Sequence, residues 1–545
     1  MIGQTVLPGN RAGWLAVIIP LVDWHDRETS KMIRQGILKI CSLHPETRVL
    51  LLNRYTSASA VQHGLKQVRP FEEIPGPKPS ENDPTYLPGI GNVANLDFNT
   101  LSEALYKNYG TIVRLPGQGG DKDVVYLYDP HYIETVFRNE GQWPVKEIFN
   151  SMLKYRDELR RDFFKGVVGI VTQGKKWHDF RRSVNPAMMQ PRATKLYVGP
   201  IDKVAKEFIQ RMKDLRDKNG QLPDDFMDHM FRWALESISL IALDTRLGCL
   251  QPNNKPDSET EKFIAALQLV MKAMFLLDVP PPLPPSEKEA LWNQMVDALD
   301  YFNEVGMKYI KQAQDRIMKR SPDAQKDMSV LETLLIKNED PMIPFVMALD
   351  MMLAGVDTTA NLTAKAAHFL SRNLDKQEIL YEELKRILPR KDQEITANNL
   401  EDMKYLKACL KETSRIAPVS AGNFRQTPAD MVIGNYLIPK GINLIMDQKV
   451  VCNLEENFPE PQKFIPERWL KDGDQLQTAH PFAYLPFGFG PRMCLGRRFA
   501  ELEAAALIAN IFRNFRLEHD EDLKEEVQFL SAIANKLNFR LEDRS

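Results

Sequence analysis

The segment at residues 487–496 constrains the fold of this chain more than any other part of its sequence. It holds Cys494 between Gly490 and Gly496, and glycines let the main chain come close to a neighbouring atom. A metal-bound sulfur is anionic and needs backbone N–H donors nearby, and the helical pattern that starts directly after the segment would direct its positive end toward the sulfur. Arg492 could pair with an anionic group at the edge of a cofactor. The segment therefore predicts a cofactor held through a metal–thiolate bond, with a glycine-rich turn around a buried free cysteine as the alternative.

The same segment resembles the haem-binding signature of the cytochrome P450 family of haem-thiolate monooxygenases. The positions of that signature are filled by Phe487, Gly490, Arg492, Cys494 and Gly496. The resemblance implies haem b, iron protoporphyrin IX, with the Cys494 thiolate as its axial ligand. It also implies the fold of the family, which is mainly α with a smaller β portion. In that fold one large helical domain, shaped like a triangular prism, holds the haem between a long central helix and the helix after the cysteine.

The overall composition is typical of an intracellular globular protein. The 545 residues are 43% hydrophobic and 26% charged, and the formal net charge of -2 gives no reason to expect nucleic-acid binding. Five scattered cysteines, an odd number, argue against a secreted disulfide framework. No segment reaches the roughly 20 apolar residues that a membrane-spanning helix requires. An apolar run at residues 274–279 leads into a proline-rich connector, which favours either peripheral contact with a membrane or a helix end packed on the core.

The N-terminal region has the character of a mitochondrial transit peptide. In the 40 residues that begin with Met32, Glu46 is the single acid, whereas arginines, lysines, serines and threonines are frequent. The residues before Met32 are more acidic, so we expect the imported form to start at Met32. We predict an N-terminal extension and transit peptide in residues 1–69 and a catalytic domain in residues 70–545. A disordered basic tail is the alternative for the N-terminal region.

The body of the chain is predicted to be mainly helical, with strands in two short regions. A proline-rich segment at residues 74–79 is expected to form a stiff hinge between the leader and the body. Apolar residues alternate in the strand regions and recur with the helical period elsewhere. The predicted strands are residues 110–115, 124–128, 431–433 and 436–438, and the predicted helices include residues 226–243, 286–318, 344–370, 404–416 and 497–512.

The predicted helix at residues 344–370 contains a sequence that weakens helices. Gly355 costs a helix about 1 kcal/mol relative to alanine, and the two threonines that follow Asp357 compete for backbone carbonyls. We therefore expect the helix to be opened locally, with a kinked core helix as the alternative. Residues 354–359 resemble the oxygen-activation motif of the family, which implies that Asp357 and Thr358 deliver protons.

Glu412 and Arg415 lie three apart on a predicted helix. By itself this spacing indicates an ordinary solvated ion pair. Together with Arg468 the two residues match a structural triad of the family. The resemblance implies that this triad supports folding and the architecture of the haem pocket and takes no part in a chemical step.

Trp177 and Arg181, four apart in the sequence, match the helix of the family that binds the haem propionates. The resemblance implies that the tryptophan N–H and the guanidinium contact the propionates. It assigns the same role to Arg492 and to Arg425, which lies just before the second strand region.

Basic side chains near the cysteine segment predict a docking surface for an acidic protein, although ordinary solubilising charge is the alternative. Lys407 and Lys411 share one face of a predicted helix, and Arg497 and Arg498 follow the cysteine segment directly. The chain is similar to the mitochondrial branch of the family, above all to its insect members, which implies electron supply by a small 2Fe–2S ferredoxin. This similarity lies in residues 231–238, 406–413 and 494–503.

Together these features predict a mitochondrial haem-thiolate monooxygenase, peripheral to the matrix side of the inner membrane. It would insert one atom of O₂ into a lipophilic substrate, either a steroid such as an ecdysteroid precursor or a foreign compound. Electrons would come from NADPH through ferredoxin reductase and ferredoxin. Residues 418–423 and the region around Phe275 are expected to line the substrate pocket. The alternatives are a non-catalytic haem-binding or sensing protein and an enzyme of the same fold that rearranges peroxides or is served by an endoplasmic-reticulum flavoprotein.

Overall fold

The computed structural model describes residues 68–78, 86–87, 90–92, 96–117, 122–252, 254–278, 283–319, 328–470, 479–527 and 530–544. The predictions for residues 1–67, which include most of the transit peptide and the start at Met32, lie outside these ranges and stay predictions. From Arg69 onward the chain forms one compact unit.

Helices dominate the described chain, as predicted. A π-helical turn at Tyr155–Leu159 lies between two short α-helices. In chain order the α-helices are α1 (Phe98–Tyr109), α2 (Pro130–Asn139), α3 (Asn150–Lys154), α4 (Arg161–Phe164), α5 (Gly174–Met188), α6 (Pro191–Lys195), α7 (Val198–Leu215), α8 (Phe226–Ala242), α9 (Glu259–Asp278), α10 (Pro285–Met318), α11 (Val330–Lys337), α12 (Met342–Arg372), α13 (Leu374–Ile387), α14 (Ala397–Asp402), α15 (Lys404–Ile416), α16 (Gln448–Cys452) and α17 (Arg497–Asn514).

The strands form small sheets, and a four-stranded sheet holds one of the two hydrophobic cores. The strands are β1 (Tyr86–Leu87), β2 (Gly91–Asn92), β3 (Ile112–Leu115), β4 (Val124–Leu127), β5 (Gly422–Gln426), β6 (Met431–Ile433), β7 (Tyr436–Ile438), β8 (Asn443–Asp447), β9 (Phe515–Glu518), β10 (Glu525–Val527), β11 (Ser531–Ile533) and β12 (Arg540–Asp543). The order in the four-stranded sheet is β3-β4-β8-β5, in which β4 and β8 run parallel and the other neighbours run antiparallel.

The long helix α12 is the centre of the larger hydrophobic core. Helix α8 packs along it, and α15 and α17 lie against it. Within the described residues α12 is the helix that is long and apolar enough to cross a membrane, but 72% of its most apolar window is buried inside the protein. It is therefore a core helix, apolar on nearly all sides because other helices surround it.

The predicted opening of the central helix is wrong, because α12 is α-helical without interruption from Met342 to Arg372. The Thr358 hydroxyl donates to the Ala354 carbonyl one turn earlier, at 2.7 Å, which a threonine does within a regular helix. Packing explains the glycine: a Cβ at Gly355 would lie 2.9 Å from Cγ1 of Ile238 in α8. Close approach of two helices therefore requires the small residue.

The predicted hinge at residues 74–79 is also wrong for the residues that the structure describes. Phe71 and Ile74 are buried, and the Arg114 N–H in β3 donates to the Pro75 carbonyl at 2.8 Å. A Cβ on Gly76 would overlap the Arg114 carbonyl. This segment packs against the sheet and belongs to the body of the protein.

Candidate active site

The cysteine segment forms a tight loop that leads into α17. The Cys494 N–H donates to the Phe487 carbonyl at 2.8 Å, and the Met493 N–H donates to the Gly490 carbonyl at 3.1 Å. Gly490 has a φ of 76°, in the left-handed region that favours glycine. The sequence thus folds the loop back on itself and presents Cys494 directly before the N-terminus of α17.

Opposing effects set the protonation of Cys494. Its side chain is exposed and lines a concavity of about 220 Å³, yet the surrounding protein is dense, and burial raises the pKa of the thiol. The backbone N–H groups of Gly496 and Arg497 at the start of α17 lower that pKa, as do the nearby cations Arg181 and Lys146. N–H donors and cations stabilise a thiolate, so the loop suits a sulfur that binds a metal.

Two guanidinium groups, the buried Arg181 and the half-buried Arg492, stand beside this loop without a salt bridge among the described residues. Arg181 donates to Asn185 Oδ1 at 2.9 Å and to the Met493 carbonyl at 3.2 Å. Arg492 donates to the Pro144 carbonyl and to Gln173 Oε1, each at 2.7 Å. All these partners are neutral. Burial lowers the pKa of Arg181 to about 10 and that of Arg492 to about 9. Buried cations without a counter-ion are costly, so the site is built for an anionic group.

Trp177 lies between these two arginines. Its ring centroid is 4.3 Å from Cζ of Arg492 and 5.6 Å from Cζ of Arg181. The tryptophan is buried in α5 and holds both guanidiniums by cation–π contact. The structure thus brings together three of the residues expected at the propionates.

The fourth expected residue, Arg425, already has a carboxylate partner. Its Nε forms a buried ion pair with Glu140, and its Nη2 donates to the Phe489 carbonyl at 3.3 Å. Its role at a propionate stays a prediction.

Lys146 is a further cation of this region that sequence reasoning missed. Burial, together with repulsion from Arg425 and Arg492, lowers the pKa of Lys146 to about 8. Lys146, Arg181, Arg425 and Arg492 form what we call the basic cluster. An iron porphyrin with two propionates fits this cluster and the sulfur of Cys494, because it supplies the missing anions and the metal together.

Asp357 and Thr358 lie in the middle of α12. Burial raises the pKa of Asp357 to about 7, and its Oδ1 is buried with no hydrogen-bond partner in the described part of the chain. Ala354, one turn before Thr358, is exposed, although Leu353 and Val356 beside it are buried. This point of the core helix therefore faces space that the described residues leave open.

Glu503, which sequence reasoning also missed, connects α17 to α12. It is fully buried, and burial raises its pKa well above the ordinary value, while the nearby Thr359 hydroxyl acts in the opposite direction. No hydrogen bond among the described residues reaches either of its carboxyl oxygens. Thr359 directly follows Thr358, and Glu503 lies nine residues after Cys494. The helix that follows the cysteine loop and the helix that carries Asp357 therefore pack on each other.

The predicted triad is assembled and buried. Arg415 donates to both oxygens of Glu412 at 2.9 Å, and Arg468 Nε donates to Oε1 at 3.1 Å. The Trp469 indole N–H donates to Glu412 Oε2 at 2.9 Å, and the Ile465 N–H donates to Oε1 at 3.0 Å. The carboxylate is therefore fully hydrogen-bonded, and it joins α15 to the chain around residues 465–469.

The four residues predicted for docking are all exposed. Lys407 donates to the Glu401 carbonyl at 3.3 Å, and Arg498 donates to the Met189 carbonyl at 3.2 Å. Arg497 pairs with Glu501 at 2.9 Å, so part of its charge is compensated. The Tyr484 hydroxyl donates to the Lys411 carbonyl at 3.2 Å.

The fold and the site define a haem-binding, mainly helical oxidoreductase with a thiolate ligand. The family model described as Cytochrome P450 matches residues 82–540, and the chain belongs to the cytochrome P450 family. It is therefore a monooxygenase with haem b bound through a cysteine thiolate. The predicted family, fold class, cofactor and type of enzyme are confirmed.

Insect proteins of this family are similar to the chain over most of their length. "Probable cytochrome P450 12a5, mitochondrial" of Drosophila melanogaster is 38% identical, over 87% of this chain and 90% of that protein. "Probable cytochrome P450 301a1, mitochondrial" of the same species is 36% identical, over 90% and 89%. "Cytochrome P450 CYP12A2" of Musca domestica is 35% identical, over 85% and 89%.

A solved structure with the same fold is the haem domain of cytochrome P450DA. It matches with a TM-score of 0.70 at 21% identity and covers 88% of this chain and 98% of that one. This likeness supports the fold, and the roles of individual site residues stay predictions.

Proposed function

We propose that this monooxygenase works in mitochondria and inserts one atom of O₂ into a lipophilic substrate. Electrons would come from NADPH through ferredoxin reductase and a 2Fe–2S ferredoxin. The site carries the proposal: an exposed Cys494 lies before the N-terminus of α17, beside the buried Arg181 and the half-buried Arg492, neither of which has a carboxylate hydrogen-bond partner among the described residues. The names of several relatives, which include the word mitochondrial, support the location and hence the electron donor.

In this proposal different side chains of the site bind the cofactor, stabilise the thiolate and transfer protons. Bound haem with a thiolate ligand supplies the activation of O₂. Arg181 and Arg492 bind and orient the propionates, and the N–H groups of Gly496 and Arg497 hold the sulfur as a thiolate. Asp357, with a pKa of about 7, exists in both protonation states near neutral pH, so its carboxyl can accept a proton and pass it on. The Thr358 hydroxyl, one residue further along α12, is positioned to relay it.

The ligand assignment is tested by spectroscopy of the full-length protein. Reduced wild-type protein with carbon monoxide should show the Soret band of a thiolate-ligated haem. Cys494→Ala should abolish that band, because no other thiolate stands in the loop. Cys409→Ala, which removes a buried cysteine of α15, is the matched control and should keep the band. A thiolate-type band in Cys494→Ala would contradict the assignment.

The electron donor is tested by exchange in a turnover assay. We expect NADPH oxidation with ferredoxin and its reductase, stimulated by a compound that produces a high-spin shift of the haem spectrum. Turnover with an endoplasmic-reticulum flavoprotein alone would contradict the mitochondrial assignment. A protein that binds haem but oxidises no NADPH with either donor would be a sensor or carrier.

The substrate class and the location need separate tests. A panel of steroids, ecdysteroid precursors and foreign compounds, screened for high-spin shifts, distinguishes hormone synthesis from detoxification. Fractionation of mitochondria followed by alkaline extraction would release a peripheral protein from the matrix side of the inner membrane. N-terminal sequencing of the imported protein tests the start at Met32, and a mature end upstream of it would contradict that start.

A further inference from the structure

Glu140 is a buried carboxylate beside the basic cluster, directly after the last residue of α2. It is 4% exposed, and its Oε2 accepts from Nε of Arg425. Among the described residues it is the acid that forms a salt bridge with the basic cluster. Its second oxygen, Oε1, is buried with no hydrogen-bond partner in the same part of the chain.

The cysteine loop and α2 hold Glu140 in place from two sides. A Cβ at Gly490 would overlap Glu140 Oε1, so the loop can pass only because residue 490 is a glycine. Phe137 in α2 contacts the ring of Phe489 in the loop, with 5.9 Å between ring centroids, and lies 4.9 Å from Cζ of Arg425. The position of the carboxylate is therefore fixed relative to the loop that carries Cys494.

The pairing changes how much positive charge the basic cluster offers. Arg181 and Arg492 have only neutral hydrogen-bond partners in the described chain, whereas Arg425 forms an ion pair with Glu140. Glu140 also attracts Arg492 at longer range, but it forms no hydrogen bond with it. Reduction of a ferric haem adds one negative charge, and a nearby buried cation favours the reduced state. A carboxylate that neutralises one cation acts in the opposite direction.

We propose that Glu140 is a positioning residue that neutralises Arg425 and thereby keeps the reduction potential of the haem low. The proposal rests on the proposed seat of the propionates at Arg181 and Arg492. It implies that the ion pair of Glu140 and Arg425 sets how readily the enzyme accepts its first electron. The sequence separation of 285 residues between the two partners explains why no local motif reveals the pair.

The midpoint potential of the full-length holoenzyme tests this proposal. Glu140→Gln keeps the size of the side chain and removes its charge, so the potential should shift to a more positive value. At a fixed applied potential the ferrous-to-ferric ratio should rise about threefold to tenfold, as expected for one partly screened charge in a protein interior. Glu134→Gln removes a carboxylate from the partly exposed side of the same helix, where it pairs with Arg138, and should leave the potential unchanged.

A double-mutant cycle separates charge from structure. Arg425→Gln should shift the potential to a more negative value. In the double variant the two shifts should largely cancel, because two uncharged side chains replace an ion pair whose charges sum to zero. An unchanged potential in Glu140→Gln, with the thiolate-type carbon monoxide spectrum retained, would overturn the proposal and leave the proposed function intact.

Two variants keep the test decisive if Glu140→Gln does not incorporate haem. Glu140→Asp retains the charge and should stay close to the wild-type potential, while Arg425→Gln should still shift to a more negative value. An Arg425→Gln protein with the wild-type potential would overturn the proposal. Absence of a thiolate-type spectrum in the wild-type protein would count against the proposed function itself.

Discussion

The fold keeps the Asp357 carboxyl protonated at pH values at which an ordinary aspartate is ionised. It lies in the middle of the core helix α12, and burial raises its pKa from 3.8 to about 7. No hydrogen bond from the described residues reaches its Oδ1 to favour the charged form. A carboxyl with these properties titrates near neutral pH, where a group that accepts and passes on protons works best.

The raised pKa of Asp357 predicts a pH dependence of stability. Between about pH 4 and pH 7 the folded state binds more protons than the unfolded state. The contribution of Asp357 to the free energy of unfolding is therefore complete below about pH 4 and is lost as the pH rises through 7. Asp357→Asn cannot titrate. Between pH 5 and pH 8 the wild-type protein should therefore lose about 2 to 3 kcal/mol relative to the variant. Thermal unfolding midpoints across this range check the prediction.

Asp315→Asn serves as the control, because Asp315 is an exposed acid of α10. Its midpoints should follow those of the wild-type protein across the pH range. Parallel curves for the wild-type protein and Asp357→Asn would mean that Asp357 ionises normally in the folded state.

The sequence predicted those site residues that belong to short motifs. Cys494, Asp357 and the pair Trp177 and Arg181 stand at fixed short spacings, which one helix or one loop converts directly into geometry. Glu140 and Lys146 belong to no such motif. They lie beside Arg425 and Arg492 only because the chain after α2 folds back against β5 and the cysteine loop. A single sequence does not show which distant segments come together in this way.

At the scale of elements, Gly355 shows how packing overrides local preference. The residue weakens an isolated helix, and on that ground α12 was expected to open. Burial of nearly all sides of α12 stabilises the helix instead, and the glycine serves the contact with Ile238 of α8. The limits of the elements were easier to predict: α15 begins and ends where the apolar period begins and ends.

A double-mutant cycle at Gly355 and Ile238 tests whether packing or opening explains the glycine. Gly355→Ala alone should destabilise the protein by about 1 to 2 kcal/mol, because overpacking exceeds the gain in helix propensity. In an Ile238→Ala background the same change should stabilise the protein by about 1 kcal/mol, since the added methyl group then has room. Denaturation of the four proteins measures the coupling. An equal cost of Gly355→Ala in both backgrounds would favour a helix that must open.

At the scale of the whole molecule, sheet pairing joins distant parts of the chain in a way that periodicity does not encode. Strand β4 runs parallel to β8, with Val125 opposite Leu444. Alternating apolar residues predicted β4 at residues 124–128, but β8 was not among the predicted strands, and the alternation carries no information about the partner of a strand. Family resemblance supplied the overall fold, and the pairing places Arg425 in β5 beside the loop of Cys494.

The proposed docking surface combines residues from two elements. Lys407 and Lys411 are exposed on α15, and Arg497 and Arg498 are exposed at the start of α17, directly after the cysteine loop. Helices α15 and α17 contact each other, and the carbonyl of Lys411 accepts from Tyr484, a residue near the loop. Such a surface would attract an acidic donor protein through long-range electrostatics.

Charge reversal of Lys407 and Lys411 tests this surface. The double variant Lys407→Glu/Lys411→Glu should raise the apparent KM for ferredoxin about tenfold or more at low salt, because rim charges act chiefly on the rate of association. The effect should shrink as ionic strength rises, and the carbon monoxide spectrum should not change. Lys308→Glu, which reverses an exposed charge on α10, is the matched control and should keep the wild-type KM. Equal KM values for the double variant and the control would place the docking surface elsewhere. A KM that rises only in the double variant would show that the electron donor approaches the side of the protein that carries Cys494.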